Sequence, residues 1–190
     1  MAENKVQFNL KNVYYAPMTS GGLSPTWGTP VAVPGAVTLT LDAQGDTTPF
    51  YADGIVYYRS ISNQGYSGSL EMARYPDKMM QDVWGLTLGG TSKVLTENVN
   101  TEPTPFALLY QIDGDADEQL YVLYNVLGTR PGIGSTTNTD TKNPQTQTSN
   151  ISADPLANGN VFARTTAATP TATKSGWFTS VFQEAGAVTT

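Results

Sequence analysis

The chain contains no cysteine and no histidine. The first absence removes disulfides and thiol chemistry; the second removes imidazole from catalysis and from the usual zinc and haem sites. Charge is sparse too. Ten Lys and Arg stand against sixteen Asp and Glu in 190 residues, a formal net charge of −6, and no two basic residues are adjacent. Proteins that grip nucleic acid cluster their cations, so an ordinary DNA-binding surface is not expected. The acids lie mostly singly in turns, without the paired arrangement a carboxylate-only glycosidase needs. A non-enzyme with no metal and no cofactor is the expectation. Long apolar runs are missing as well. The opening Met1-Ala2-Glu3-Asn4-Lys5 lacks the basic start and apolar core of a signal peptide. Synthesis in a cytoplasm and no membrane insertion follow as expectations.

What is present points to an all-β protein. Hydrophobic residues make up 39%, with 18 glycines, 12 prolines and ten tyrosines, a composition suited to strands joined by turns. The length fits one domain with a sizeable core, read as a β-rich body over 1–165 and a C-terminal linker and docking arm over 166–190. Val6, Phe8 and Leu10 alternate with polar residues, the period-2 pattern of a half-buried strand continuing to Tyr15. Prolines and glycines between Pro17 and Pro30 break regular structure, with Trp27 expected to pin that loop to the body. Val37, Leu39 and Leu41 form a second alternating set, and Tyr66, Gly68, Leu70 and Met72 a third.

Between those last two sets lies an excursion over 42–63, far longer than a hairpin turn requires. It concentrates Phe50, Tyr51, Ile55, Val56, Tyr57 and Tyr58 around Asp53-Gly54, a strong turn signal. A small hairpin is predicted, Pro49–Asp53 pairing back on Ile55–Ser60. Two readings stay open: a flap lying over its own core, or a projecting hairpin packed on another copy of the protein. Further on, Pro76-Asp77 and Gly85 bracket Met79, Met80, Val83 and Trp84, so one short helix is predicted over about 76–84, its stripe facing a sheet.

Phe106–Ile112 and Gln119–Leu127 read as strong strands. The second carries Leu120, Val122, Tyr124 and Val126 on one face and Tyr121 and Leu123 on the other, and so should be covered on both. The intervening Asp113, Asp115, Asp117 and Glu118 match only the start of a calcium loop. Glu118 stands where glycine is required and Tyr124 where the bidentate glutamate belongs, so a solvated acidic turn is expected. Residues 128–145 are poor in apolar groups and read as a long flexible loop; Thr146–Ala153 and Val161–Arg164 read as strands. Thr165–Thr173 reads as an extended linker. Trp177, Phe178, Val181 and Phe182 beyond it have the spacing of an amphipathic helical turn, docking on its own domain or on a neighbour.

Strand, long loop with Tyr51-Ala52-Asp53-Gly54, strand, then Pro76-Asp77 and a short helix resembles the major tail proteins of long-tailed, non-contractile bacteriophages, the tail-tube subunits. The likeness spans about 5–165 and rests on the order of elements. It implies a β-sandwich or barrel-like fold with a flanking helix, six copies closing into a ring, and rings stacked as a tail tube through which DNA is ejected. It also implies tape-measure and tail-terminator partners and residence in the virion. Under that reading Phe50, Tyr51, Asp53, Ile55, Tyr57, Tyr58, Trp177, Phe178 and Phe182 become candidates for contact between subunits. Glu71, Asp113, Asp115, Asp117 and Glu118 become candidates for the lumen wall. Six copies at −6 each would carry −36 formal charges, which would repel passing DNA rather than hold it. The alternative is a β-sandwich binding module that recognises carbohydrate or a protein partner through its tyrosines and tryptophans.

Overall fold

The structure, a computed structural model, describes residues 4–137 and 143–184. Its strands are β1 (Gln7–Ser20), β2 (Thr26–Trp27), β3 (Val31–Ala32), β4 (Ala36–Gln44), β5 (Thr47–Ala52), β6 (Ile55–Ile61) and β7 (Gly65–Met72). Helix α1 (Asp77–Trp84) follows, then β8 (Thr87–Leu88), β9 (Leu95–Thr96), β10 (Phe106–Gly114), β11 (Gln119–Gly128), β12 (Gln147–Ala153), β13 (Phe162–Arg164) and α2 (Thr171–Gly176). The class is all-β with minor α. A nine-stranded antiparallel sheet runs in the order β2-β1-β10-β11-β12-β7-β4, with β3 added to β1 and β13 to β11. The sheet is open and curled: β1 and β4 line one common groove yet do not pair.

Both faces of the central strands are buried, so the sheet carries two cores. On the concave side α1 drops Met79, Val83 and Trp84 onto Tyr15, Leu70, Met72, Phe106, Leu108 and Val126. On the other side Ala107, Leu109, Leu120, Val122 and Tyr124 are covered by Leu156 and Trp177. Each fully buried large side chain contributes roughly 1.5–3 kcal/mol relative to exposure, and β10, buried from Phe106 to Gln111, draws on both cores.

Helix α1 obeys its punctuation. Pro76 stands at the N-cap, and Gly85 closes the helix at φ 67°, a left-handed position. The Gly85 and Leu86 amides donate to the Gln81 and Met80 carbonyls, satisfying groups that a helix end otherwise leaves open. The Trp84 indole donates to the Gly128 carbonyl at 2.9 Å and meets Tyr75 edge-on.

Several readings need correction, and most trace to β-bulges. Val6 and Phe8 are 57% and 55% exposed. The β1–β10 register shifts at Phe8/Leu10 and Lys11/Tyr14, where Asn9 and Asn12 adopt φ of 60° and 51°, a conformation asparagine tolerates better than most residues. Each extra residue reverses which side chains face in. Val37 is likewise turned out by a shift between Ala36 and Thr38, leaving Leu39 and Leu41 inward. In β11 a shift opposite Phe106/Leu108 moves Val126 to the α1 side, away from Leu120, Val122 and Tyr124.

The stretch from Pro17 to Pro30 is also more ordered than its prolines suggest. Strand β1 continues to Ser20 and turns back as β2. Trp27 does pin this hairpin, its indole donating to the Tyr124 carbonyl at 3.1 Å. The linker read as extended holds the short helix α2, with Pro170 before it. The loop over 128–145 begins by following β12, Thr129 N–H donating to Asn150; its 138–142 portion, like 1–3 and 185–190, lies outside the described residues.

Burial also predicts the alkaline limit. Desolvation raises the phenol pKa of Tyr15, Tyr75 and Tyr110, and pushes Tyr124 up to about 12, against about 10 in an unfolded chain. Above that unfolded value the denatured state releases protons the native state retains. The contribution of these tyrosines to stability is therefore fully present below pH ~10 and lost as pH rises through the folded values. Tyrosinate absorbance from these residues should appear together with loss of near-ultraviolet circular dichroism, not before it.

Candidate assembly surfaces

The excursion after β4 is a free-standing β-hairpin. Strands β5 and β6 pair with each other and, among the described residues, with no other strand. Asp53 and Gly54 take φ of 53° and 78°, the positive pair that a type I′ turn requires and that matches strand twist. The pairing, Thr47–Ala52 with Ile55–Ile61, is slightly longer than predicted. At its root the Ser62 amide donates to the Asp46 carbonyl, and the Asp46 amide to Ser62 Oγ. A side chain at Gly45 would collide with the Ser62 carbonyl. The hairpin thus prolongs the β4–β7 ribbon outward.

Among the described residues nothing covers it. Phe50 and Tyr58 are 60% and 63% exposed, Tyr51 63%, Tyr57 72%, Ile55 64% and Ile61 77%. The reading as a flap on its own core is therefore set aside. At about 200 Å² per ring-bearing side chain, the four aromatics alone leave roughly 500 Å² uncovered. An isolated two-stranded hairpin is marginal in water, so such a surface calls for a partner.

The register sorts this surface into two faces, since paired residues share a side. Thr48/Ser60, Phe50/Tyr58 and Ala52/Ile55 make one face, which has no charged residue; Thr47/Ile61, Pro49/Arg59 and Tyr51/Val56 make the other. Tyr57 sits at the bulge between these sets. Asp53 occupies the turn rather than either face.

The C-terminal aromatics are placed differently from the hairpin. Trp177 is 2% exposed, its indole donating to the Tyr121 carbonyl at 3.2 Å. Phe178 stacks on Tyr14 at 4.7 Å, and Phe182 stacks on Trp177 at 5.1 Å. Lys174 clamps the segment with two bonds to Asp117, 2.9 and 2.7 Å. Of the two dockings expected for this segment, on its own domain or on a neighbour, Trp177, Phe178 and Phe182 make the first: they seat it on the chain's own sheet, where Leu120, Val122 and Tyr124 need a cover, with Phe178 and Phe182 left half-buried.

The candidate acids fall into two unlike groups. Asp113, Asp115, Asp117 and Glu118 belong to the β10–β11 turn, which is tied up from within. Asn4 donates to the Asp117 carbonyl and accepts the Ala116 and Asp117 amides, and the Lys5 amide donates to Asp115. Lys11 lies 3.0 Å from Asp113 and 3.8 Å from Glu118. Hydrogen bonding from Lys11, joined by Asn9 and Gln111, holds the Asp113 carboxyl below the usual carboxylate range, and Asp113 in turn raises the Lys11 ammonium. Four acids therefore share the site with two lysines, Lys11 and Lys174, leaving a local charge of about −2 rather than −4. No sequence signal paired these partners, which lie more than fifty residues from the acids they meet.

Glu71 sits elsewhere, accepting from Thr146 Oγ1 at 2.6 Å. The register ranks Thr38, Glu71 and Thr148 side by side, then Thr40, Ser69 and Asn150, then Asp42, Ser67 and Ser152. This outer face of β4, β7 and β12 is hydroxyl- and amide-rich, and its charges are both acidic.

Known proteins place the chain only loosely. No family model matches it, and no curated protein matches it. Among solved structures it is similar to the anti-feeding prophage cap, a tube terminating cap determined by cryo-electron microscopy. The identity is 12% and the TM-score 0.47, covering 87% of this chain and 97% of that one. Similarity at that level assigns neither a family nor an activity.

Proposed function

We propose that this chain is a structural protein of a bacteriophage tail, a subunit that polymerises into rings stacked as the tail tube. The observation that carries the reading is the free-standing hairpin, with its aromatic residues left to water on both faces. Among the described residues no surface is in place to cover them, so a second copy is the economical partner. Contacts that do not pair like with like extend into rings or filaments rather than stopping at dimers. The order of elements that resembles tail-tube subunits agrees with this.

The polar outer face of β4, β7 and β12 suits a conduit wall. Its serine, threonine and asparagine side chains offer hydration without cations to hold phosphates, and Glu71 and Asp42 add weak repulsion. It is a better lumen candidate than the β10–β11 turn, whose acids are partly neutralised by Lys11 and Lys174. Ring closure by six copies, tail-terminator and tape-measure partners and DNA passage during ejection complete the reading.

Negative-stain electron microscopy of the purified chain, with sedimentation velocity over a concentration series, tests it. Rings or hollow tubes are the expected result. A species that stays monomeric at high concentration would overturn it and favour a binding module instead.

A further inference from the structure

The curled sheet leaves an apolar groove of about 400 Å³ where β1 and β4 approach without pairing. Leu10, Leu39, Leu41 and Ile112, all half-buried, line its sides, Tyr110 lies deeper, and Phe8 stands on its rim, 55% exposed. Its polar lining, Gln7 and Asn9, is uncharged. The groove leads to the same core that α1 packs against, so whatever fills it must be apolar.

We infer that the uncharged face of the hairpin, Phe50, Tyr58 and Ile55, docks into this groove on a second copy of the chain. This rests on the assembly reading above and specifies its contact. The choice of face follows from charge: the opposite face would bring Arg59 against leucines with no acid among the lining residues, a costly burial. The choice of a second copy follows from reach. Phe50 lies six residues beyond Gln44, about 20 Å at strand rise, while the groove lies back along β4 at Leu39 and Leu41. The ribbon runs away from its own groove, so ridge and groove on one chain can meet only between chains. The docking face supplies only part of a standard interface: at about 200 Å² per ring-bearing side chain, Phe50 and Tyr58 expose roughly 250 Å², increased by Ile55, against the ~800 Å² that one partner gives. Ridge and groove are different surfaces, so each docking leaves one of each open and the contact propagates.

The natural absence of cysteine makes the test clean. Chains carrying Tyr58→Cys alone and Leu41→Cys alone are mixed, each doped at a low fraction into unsubstituted chain so that assembly proceeds, and then oxidised. A disulfide requires Cβ atoms about 3.5–4.5 Å apart. A linked dimer is expected only when both variants are present, and it should be lost when Tyr51→Cys, on the opposite face, replaces Tyr58→Cys. Polymers that form without the Tyr58–Leu41 link, or that link equally through Tyr51, would overturn this contact and leave the assembly reading standing. Failure of the unsubstituted chain to polymerise would overturn both.

Discussion

Replacing Phe50 and Tyr58 together by serine is expected to abolish polymerisation while leaving the monomer folded. Both side chains are mostly in water in one chain, 60% and 63% exposed, and neither belongs to either core. Surface changes of that kind usually alter stability by no more than about 0.5 kcal/mol, so the melting temperature should barely move. Buried aromatic anchors of an interface are worth about 2 kcal/mol or more each. Losing two would weaken the contact by at least about 4 kcal/mol, roughly a thousandfold in association constant. Sedimentation velocity beside thermal melting separates the effects. A double variant that still forms tubes at the unsubstituted concentration would show that the hairpin is not the assembly contact.

The largest expected loss of stability comes from Trp84→Ala. Trp84 is 2% exposed, packed edge-on against Tyr75 and bonded to the Gly128 carbonyl. Truncating a buried tryptophan costs about 3–5 kcal/mol, against the 5–15 kcal/mol by which typical domains are stable. Trp84→Phe fills most of the space and leaves the Gly128 carbonyl without its donor, so its cost should be smaller, about 1–3 kcal/mol. Chemical denaturation of the three chains measures both. Equal losses for alanine and phenylalanine would mean that the hydrogen bond, not the volume, anchors α1.

The candidate site was legible in unequal parts. Asp53-Gly54 announced a turn with positive φ at both positions, and the density of aromatics around it announced a surface in need of cover. Both signals are local, and both appear in the structure where they were expected. The groove was not legible. Phe8 and Leu10 come from one end of the chain and Leu39 and Leu41 from another, and their meeting depends on how far the sheet curls. Trp177 and Phe178 looked as available as Phe50 and Tyr58, being large aromatics in a polar stretch. Only the second core, which leaves Leu120, Val122 and Tyr124 to be covered, draws them inward.

The acids teach the same lesson through charge. Asp113, Asp115, Asp117 and Glu118 read as a solvated acidic turn because sequence shows neighbours along the chain and not across the sheet. Lys11 arrives by strand pairing and Lys174 by docking of the C-terminal segment.

By itself the sequence determined what depends on a few consecutive residues: strand-forming alternation, the I′ turn, the proline and glycine that start and stop α1, and the chemistry excluded by missing cysteine and histidine. The tertiary structure alone decided which face of each bulged strand points inward, which aromatics are spent on the chain's own core, and which stay in water. The reason is that a bulge shifts side-chain parity by one residue, and burial is a property of long-range pairing. Neither leaves a mark within the few residues over which backbone preferences act.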